Sequence, residues 1–298
     1  LKGGGVLNSR RGFTPYLLIL PAIAVLLFII GYPLLFGFRL SFTNMNLYTF
    51  RNPAFNGLSN YRDILAMPEF YTTLLRTVVW TFVNVFFHVT IGMFLAICIN
   101  RNFPGKNFFR VFLMIPWAIP QYIAVVTWKN MFRTQYGTID IILNKLGITG
   151  IAWLSDPSWT FVAAIITNIW LGIPFMMMVF YGALKSVPHE MYEAGEMDGV
   201  NSWQKHMKIT IPLLKPVAIP AIVLGSIWTF NMVNVIFIMT DNTGNDVTQI
   251  LVTRVYKDAF TYFSYGKAAA FSVLIFIILA MFSWAFIKAN KSGEGVYE

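Results

Sequence analysis

Charge is what this sequence has least of: Asp, Glu, Lys and Arg make up 12% of its 298 residues, against 57% hydrophobic residues and a mean hydropathy of +0.62. Soluble domains carry about 25% charged residues. A soluble globular fold is therefore excluded, and the chain reads as an integral membrane protein. Cysteine is nearly missing too. Cys98 stands alone in an apolar run, which rules out an internal disulfide framework and a multi-cysteine metal centre. The three histidines do not converge on one metal, because His88 is expected mid-span whereas His189 and His206 are expected in the cytoplasm. No glycine-rich phosphate loop ending in lysine, Gly-x-Ser-x-Gly elbow or His-Glu-x-x-His helix occurs, so catalysis and a resident cofactor are not expected on this chain. Lys and Arg exceed Asp and Glu by 9 charges but form no basic block. That scatter fits membrane orientation rather than nucleic-acid binding.

Long apolar runs are what the sequence has in abundance. A hydrocarbon core of about 30 Å takes about 20 apolar residues in a helix. About six stretches meet that requirement: 15–40, 73–99, 108–132, 159–184, 217–240 and 267–287. Unpaired backbone groups are not tolerated in lipid, and the Phe, Ile and Leu runs lack the alternation of a barrel strand, so these are predicted helices of an all-α membrane protein. The first run is too long for a signal-peptide core and is read as a retained span. The sequence starts at Leu1 with no initiator Met, as it would if a short leader were missing.

Placing the N-terminus inside puts Arg10 and Arg11, the Arg101–Arg110 group, Lys185, the Lys205–Lys215 group and Lys288 in the cytoplasm. The C-terminus then lies inside as well. Outer loops fall at 41–72, 133–158 and 241–266, none large enough for a domain, so 1–298 is read as a single transmembrane domain. The polar stretch 186–216 becomes cytoplasmic. It reads as two short helices: one from about Pro188 to a stop at Asp198-Gly199, with Glu190 and Glu193 near its positive end, and a second begun by a capping box, Asn201 with Gln204. Pro212 and Pro216 bound the return to apolar sequence.

Membrane-depth charge is nearly absent, which argues against proton or sodium coupling. Amides and aromatic rings remain. Asn231 and Asn234, three residues apart, are predicted to share a helix face, with Trp228 and Phe230 nearby; Asn168 and Trp170 lie in the fourth span. Such amides either bond a sugar whose apolar face covers a ring, or bond neighbouring helices. Both readings stand at this point.

Glu193-Ala194-Gly195, Asp198-Gly199 and Ile209-x-x-Pro212 together resemble the EAA loop of permease subunits in bacterial ATP-binding-cassette importers. The surrounding sequence resembles the carbohydrate branch, of MalF type, through Ser41-Phe42, Gly57-Leu-Ser-Asn-Tyr61, Ile115-Pro-Trp-Ala-Ile-Pro120, Trp153-Leu-Ser-Asp-Pro157, Trp170 with Pro174, and Tyr265-Gly266. Departures are Gly195 for the second alanine, Val200 and His206 in place of usual residues, and Asn242-Thr-Gly-Asn245 where the family has Gly-Gly-Pro. A large outer insertion is also missing.

The resemblance implies a multi-pass subunit of the bacterial inner membrane, paired with a second permease chain. A solute-binding protein would deliver a disaccharide or oligosaccharide, and a separate ATPase dimer would hold the ATP and Mg. Glu190, Glu193, Ala194, Gly195, Asp198, Gly199 and Pro212 would couple to that ATPase. An acidic uronate-type oligosaccharide or a glycerol phosphodiester is the alternative cargo. A passive channel or membrane scaffold is the alternative of another class.

Overall fold

Every regular element in the computed structural model is helical, apart from one isolated bridge between Thr43 and Phe55, among the described residues 14–241 and 247–291. The Asn242–Asn245 departure and the basic residues Lys2, Arg10 and Arg11 fall outside that range. Backbone proximity divides the chain into two units, residues 1–64 with 258–273 and residues 65–257 with 274–298.

In the first unit α1 (Thr14–Leu26) passes through a π-helical turn at Leu27–Gly31 into α2 (Tyr32–Leu40), and no residue from Tyr16 to Leu40 is buried. Two stretches quoted above for their family likeness meet here. The Ser41 hydroxyl lies 2.6 Å from the Tyr61 hydroxyl, and the Asn60 amide donates to the carbonyls of Ser41 and Thr43, both at 2.9 Å. A side-chain amide thus satisfies backbone acceptors that the end of α2 leaves open. α3 (Ser59–Ala66) carries both Asn60 and Tyr61.

In the second unit α4 (Pro68–Asn100) and α8 (Pro157–Lys185) form the central pair. Both begin with proline in the first turn, where a missing N–H is harmless. Asp156 caps α8, its Oδ1 accepting from the N–H groups of Ser158 at 2.8 Å and Trp159 at 3.0 Å. Where α4 meets α8 the side chains are small: a Cβ on Gly92 would stand 2.8 Å from Met176 Cβ, and one on Gly172 would run into the His88 ring. Close approach of this kind is how helices associate in lipid, which offers no hydrophobic driving force between them.

The third predicted span, 108–132, is not one helix. α5 (Lys106–Ala118) and α6 (Gln121–Met131) meet at 94° across Ile119 and Pro120. Pro120 pushes its predecessor out of the helical region, and Ile119 accordingly sits at φ −80°, ψ 135°. Five helices are therefore long and apolar enough to cross, and up to six if the bent pair counts as one span, among the described residues. α7 (Thr138–Lys145) follows.

The polar stretch forms α9 (His189–Met197), ended by Gly199 at φ +75°, and then α10 (Ser202–Lys205), begun by the reciprocal Asn201/Gln204 capping box. The second short helix does not stop at the prolines as expected. A π-helical segment, His206–Thr210, carries it into α11 (Ile211–Phe230), in which Pro212 occupies the first turn and Pro216 and Pro220 lie inside. The wider π turn resets the hydrogen-bond register, with Ile211 N–H bonding the His206 carbonyl, so Pro212 arrives where a donor is dispensable. The fifth span then breaks again before α12 (Val233–Met239). α13 (Leu251–Phe260), a helix missing from the sequence reading, leads to α14 (Tyr265–Lys291). Thr77 on α4 accepts the Leu251 N–H at 2.9 Å.

Candidate functional site: a membrane cavity and a coupling turn

The breaks in α5–α6 and α11–α12 expose backbone and amides beside one cavity of about 460 Å³. Its walls come from α4, α5, α6, α8 and α11, with Met232 between α11 and α12. Trp117, Phe175 and Trp228 form an aromatic wall, with ring centroids 6.1 Å apart for Trp117–Phe175 and 5.1 Å for Phe175–Trp228. Polar groups are His88, Gln121, Asn168 and Thr229, and no Asp, Glu, Lys or Arg lines it. A volume in the range of ligand sites, with rings on one side and a few convergent amides, suits a neutral solute that offers both an apolar face and hydroxyls.

The residues singled out in the sequence take different places around this cavity. Trp228 and Asn168 line the cavity. Asn231 and Asn234 do not share a helix face, because the chain leaves the helix at Asn231, and Met232 has ψ 89°. Asn231 is exposed and turns back on its own helix, donating to the Ile227 carbonyl at 2.9 Å. Asn234 starts α12 and donates to Gln121 Oε1 at 3.0 Å. Phe230 is buried in the core, and Trp170 packs on Trp128 at 5.7 Å; neither lines the cavity.

Gln121 was missed. Its Nε2 lies 2.9 Å from Met232 Sδ while its Oε1 takes the Asn234 amide, so one carboxamide joins both broken spans at the cavity wall. The available signal was an amide placed directly after a Pro-x-x-x-Pro pair in an apolar run. His88 is fixed between helices. Its Nε2 lies 2.9 Å from the Asn168 carbonyl, which can only accept, so that nitrogen carries the proton.

The polar turn is a packed assembly of α9, α10 and the π-helical segment that follows them. Ile209 Cδ1 occupies the space a Cβ on Gly195 would need, 2.5 Å from it. Tyr192 reaches Thr210 at 3.3 Å, and Lys205 pairs with Glu196 while lying 5.2 Å over the Tyr192 ring. The hydrogen bond and charge of Lys205 hold the Glu196 carboxyl below the usual range. Glu190, Glu193, Ala194, Asp198 and Gly199 are exposed, alongside Met191, Met197 and Trp203; Gly195 is buried and Pro212 half-buried. The expected coupling residues thus divide into an outer face and a packed inner side.

Residues 202–230 run from this turn to the cavity as one helical stretch of about 40 Å at 1.5 Å per residue. Trp228 and Thr229 stand at its far end, and α8 joins Asn168 and Phe175 to the other side of the turn.

Known proteins resemble this chain along most of its length. The trehalose/maltose transport system permease protein MalF of Thermococcus litoralis is 32% identical over 288 residues, covering 96% of this chain and 96% of that protein. The galactooligosaccharides transport system permease protein GanP of Bacillus subtilis is 32% identical, covering 94% of this chain and 71% of that protein. Among solved structures, a bacterial ABC transporter involved in the import of the acidic polysaccharide alginate superposes with a TM-score of 0.81 at 18% identity, covering 95% of this chain and 96% of that one. Residues 88–290 match the family described as binding-protein-dependent transport system inner membrane component. The chain belongs to that family and is a multi-pass ABC transporter permease of the inner membrane.

Proposed function

We propose that this permease passes a neutral disaccharide or oligosaccharide through the cavity between α4, α5, α6, α8 and α11, with Gln121, Asn168 and Trp228 in contact with the sugar and Asn234 holding Gln121. The observation that carries this reading is the cavity lining, which combines carboxamides and indole rings and contains no Asp, Glu, Lys or Arg. A hydroxylated solute replaces its water with amide bonds there and covers a ring with its C–H face. A uronate or phosphodiester brings charge that this wall does not neutralise. The sugars named for the two relatives lie in the favoured class.

Transport is driven from outside this chain. A second permease subunit completes the pathway, a solute-binding protein delivers the sugar, and an ATPase dimer on separate chains holds ATP and Mg. The turn lies in the cytoplasm with both termini, and its exposed face, Glu190, Glu193, Ala194, Met197 and Trp203, docks on the ATPase. Movement of α9 is passed along residues 202–230 and α8 to the cavity walls. Asp198, Gly199, Gly195 and Pro212 keep the turn's shape. A passive channel has no use for such a lever.

The test is uptake by the reconstituted transporter, with its binding protein, of labelled maltodextrins against uronate oligosaccharides. Gln121→Ala and Asn234→Ala should each lower neutral-sugar uptake several-fold with assembly intact, and Glu193→Lys should uncouple ATP hydrolysis from uptake. Preferred uptake of the uronate would refute the substrate class. Uptake that continues without ATP would refute the lever.

A further inference from the structure

Lys129 stands in the last turn of α6, and its surroundings give it a use. The side chain is only 14% exposed; its Nζ donates to the Ile238 carbonyl at 2.7 Å and pairs with Asp241, whose carboxylate is 82% exposed. A cation held this deep needs partners, and both of them come from the end of α12. The last carbonyls of a helix form its negative pole, so a lysine from α6 caps α12 across the gap between two short helices.

α12 has 7 residues and α6 has 11, too short to hold their shape without anchors. At their N-terminal ends they are joined by Asn234 to Gln121, and Gln121 also reaches Met232. At their C-terminal ends they are joined by Lys129. Gln121 lines the cavity and Lys129 does not.

We propose that Lys129 is a positioning residue: by clamping the C-terminal end of α12 to α6 it keeps the Gln121–Asn234 amide pair aimed at the cavity, and the two broken halves move as one body during transport. The clamp rests on the reading of this cavity as the solute path.

The experiment uses the complete transporter in lipid nanodiscs, with Lys129→Met, Lys129→Arg and Asp241→Asn. Amide exchange along α12 reads the clamp, and sugar uptake in proteoliposomes reads its effect. Lys129→Met, which loses both bonds, should speed α12 exchange about 10- to 100-fold while α4 and α8 are unaltered. Asp241→Asn keeps the Ile238 bond and should move exchange and uptake in the same direction by less. Lys129→Arg should restore most of both.

Unchanged α12 exchange in Lys129→Met overturns the clamp. Uptake that falls in one of Lys129→Met and Asp241→Asn and rises in the other overturns it as well, because that pattern belongs to a charge acting on the cargo. Faster exchange with unaltered uptake leaves the clamp standing and discards the cavity reading on which its purpose rests. If Lys129→Met fails to assemble, the exposed Asp241 site supplies the same readouts, and exchange there equal to the unaltered protein counts against the proposal.

Discussion

Gly172→Ala tests how the central helix pair is held. In α8 the Asn168 carbonyl accepts the Gly172 N–H one turn on, and the missing side chain at Gly172 leaves that carbonyl open to a second donor, His88 of α4, at 2.9 Å. An added methyl meets three atoms of the imidazole ring. The ring is 5% exposed and cannot step aside without abandoning the bond. Overpacking costs about 1–3 kcal/mol, and an interhelical hydrogen bond in a membrane is worth about 0.6–1.7 kcal/mol. Against these stands a gain of about 1 kcal/mol for Ala over Gly in a helix. The net expectation is a loss of about 1–4 kcal/mol, with packing outweighing propensity. In a His88→Ala background the methyl has room, and the same substitution should become neutral or stabilise by up to about 1 kcal/mol. SDS-titrated unfolding of the four proteins of this cycle measures both values. Additive effects would refute the reasoning, since the sign change depends on the ring and the methyl competing for one space.

At the coupling turn, Gly199→Val places a β-branched residue at φ +75°, costs about 1–2 kcal/mol locally, and should reduce ATPase docking in a pull-down while the unfolding midpoint of the membrane helices stays put. Gly195→Ala should be nearly neutral in uptake, because the atom it meets is the far end of the Ile209 side chain and the helix gains about 1 kcal/mol; lost uptake would mean that the partner itself requires a bare backbone there. Asn201→Ala removes the bond from the Gln204 N–H to Asn201 Oδ1, one half of the capping box, and should cost about 1 kcal/mol, seen as faster amide exchange over residues 202–205. Asp156→Ala should lower stability by about 1 kcal/mol through loss of the α8 cap, whereas Asp156→Asn should restore most of it.

Hydrophobic runs made the all-helical membrane fold legible, and local chemistry made the coupling turn legible in detail. Gly199 takes the left-handed conformation expected of a helix stop, and Asn201 with Gln204 closes the expected box. Both depend on residues within three or four positions of one another. The continuation of α10 through Pro212 was not legible, because a π turn moves the register by one residue and leaves no composition signal. α13 was hidden for another reason. Its polar residues, including Arg254, Lys257 and Asp258, lower its hydropathy to that of a loop, although Leu251 is fully buried.

The cavity was only half legible, and the reason lies in how it is made. Trp228 and Asn168 sit on long helices whose faces follow from spacing, and both reach the cavity. Asn231 and Asn234 sit on either side of an interruption, where three-residue spacing stops predicting a shared face. A continuous helix would have satisfied every backbone group internally and left no reason for Gln121 to reach across to α12. At the bend of Ile119–Pro120 and at Asn231–Met232 the ladder is instead interrupted, and irregular backbone at membrane depth is tolerated only where protein or a cavity receives it. The two breaks meet through Gln121, which bonds Asn234 and Met232. The cavity is therefore built where the spans fail to be regular, and a reading that rewards uninterrupted hydrophobic runs smooths over those positions first.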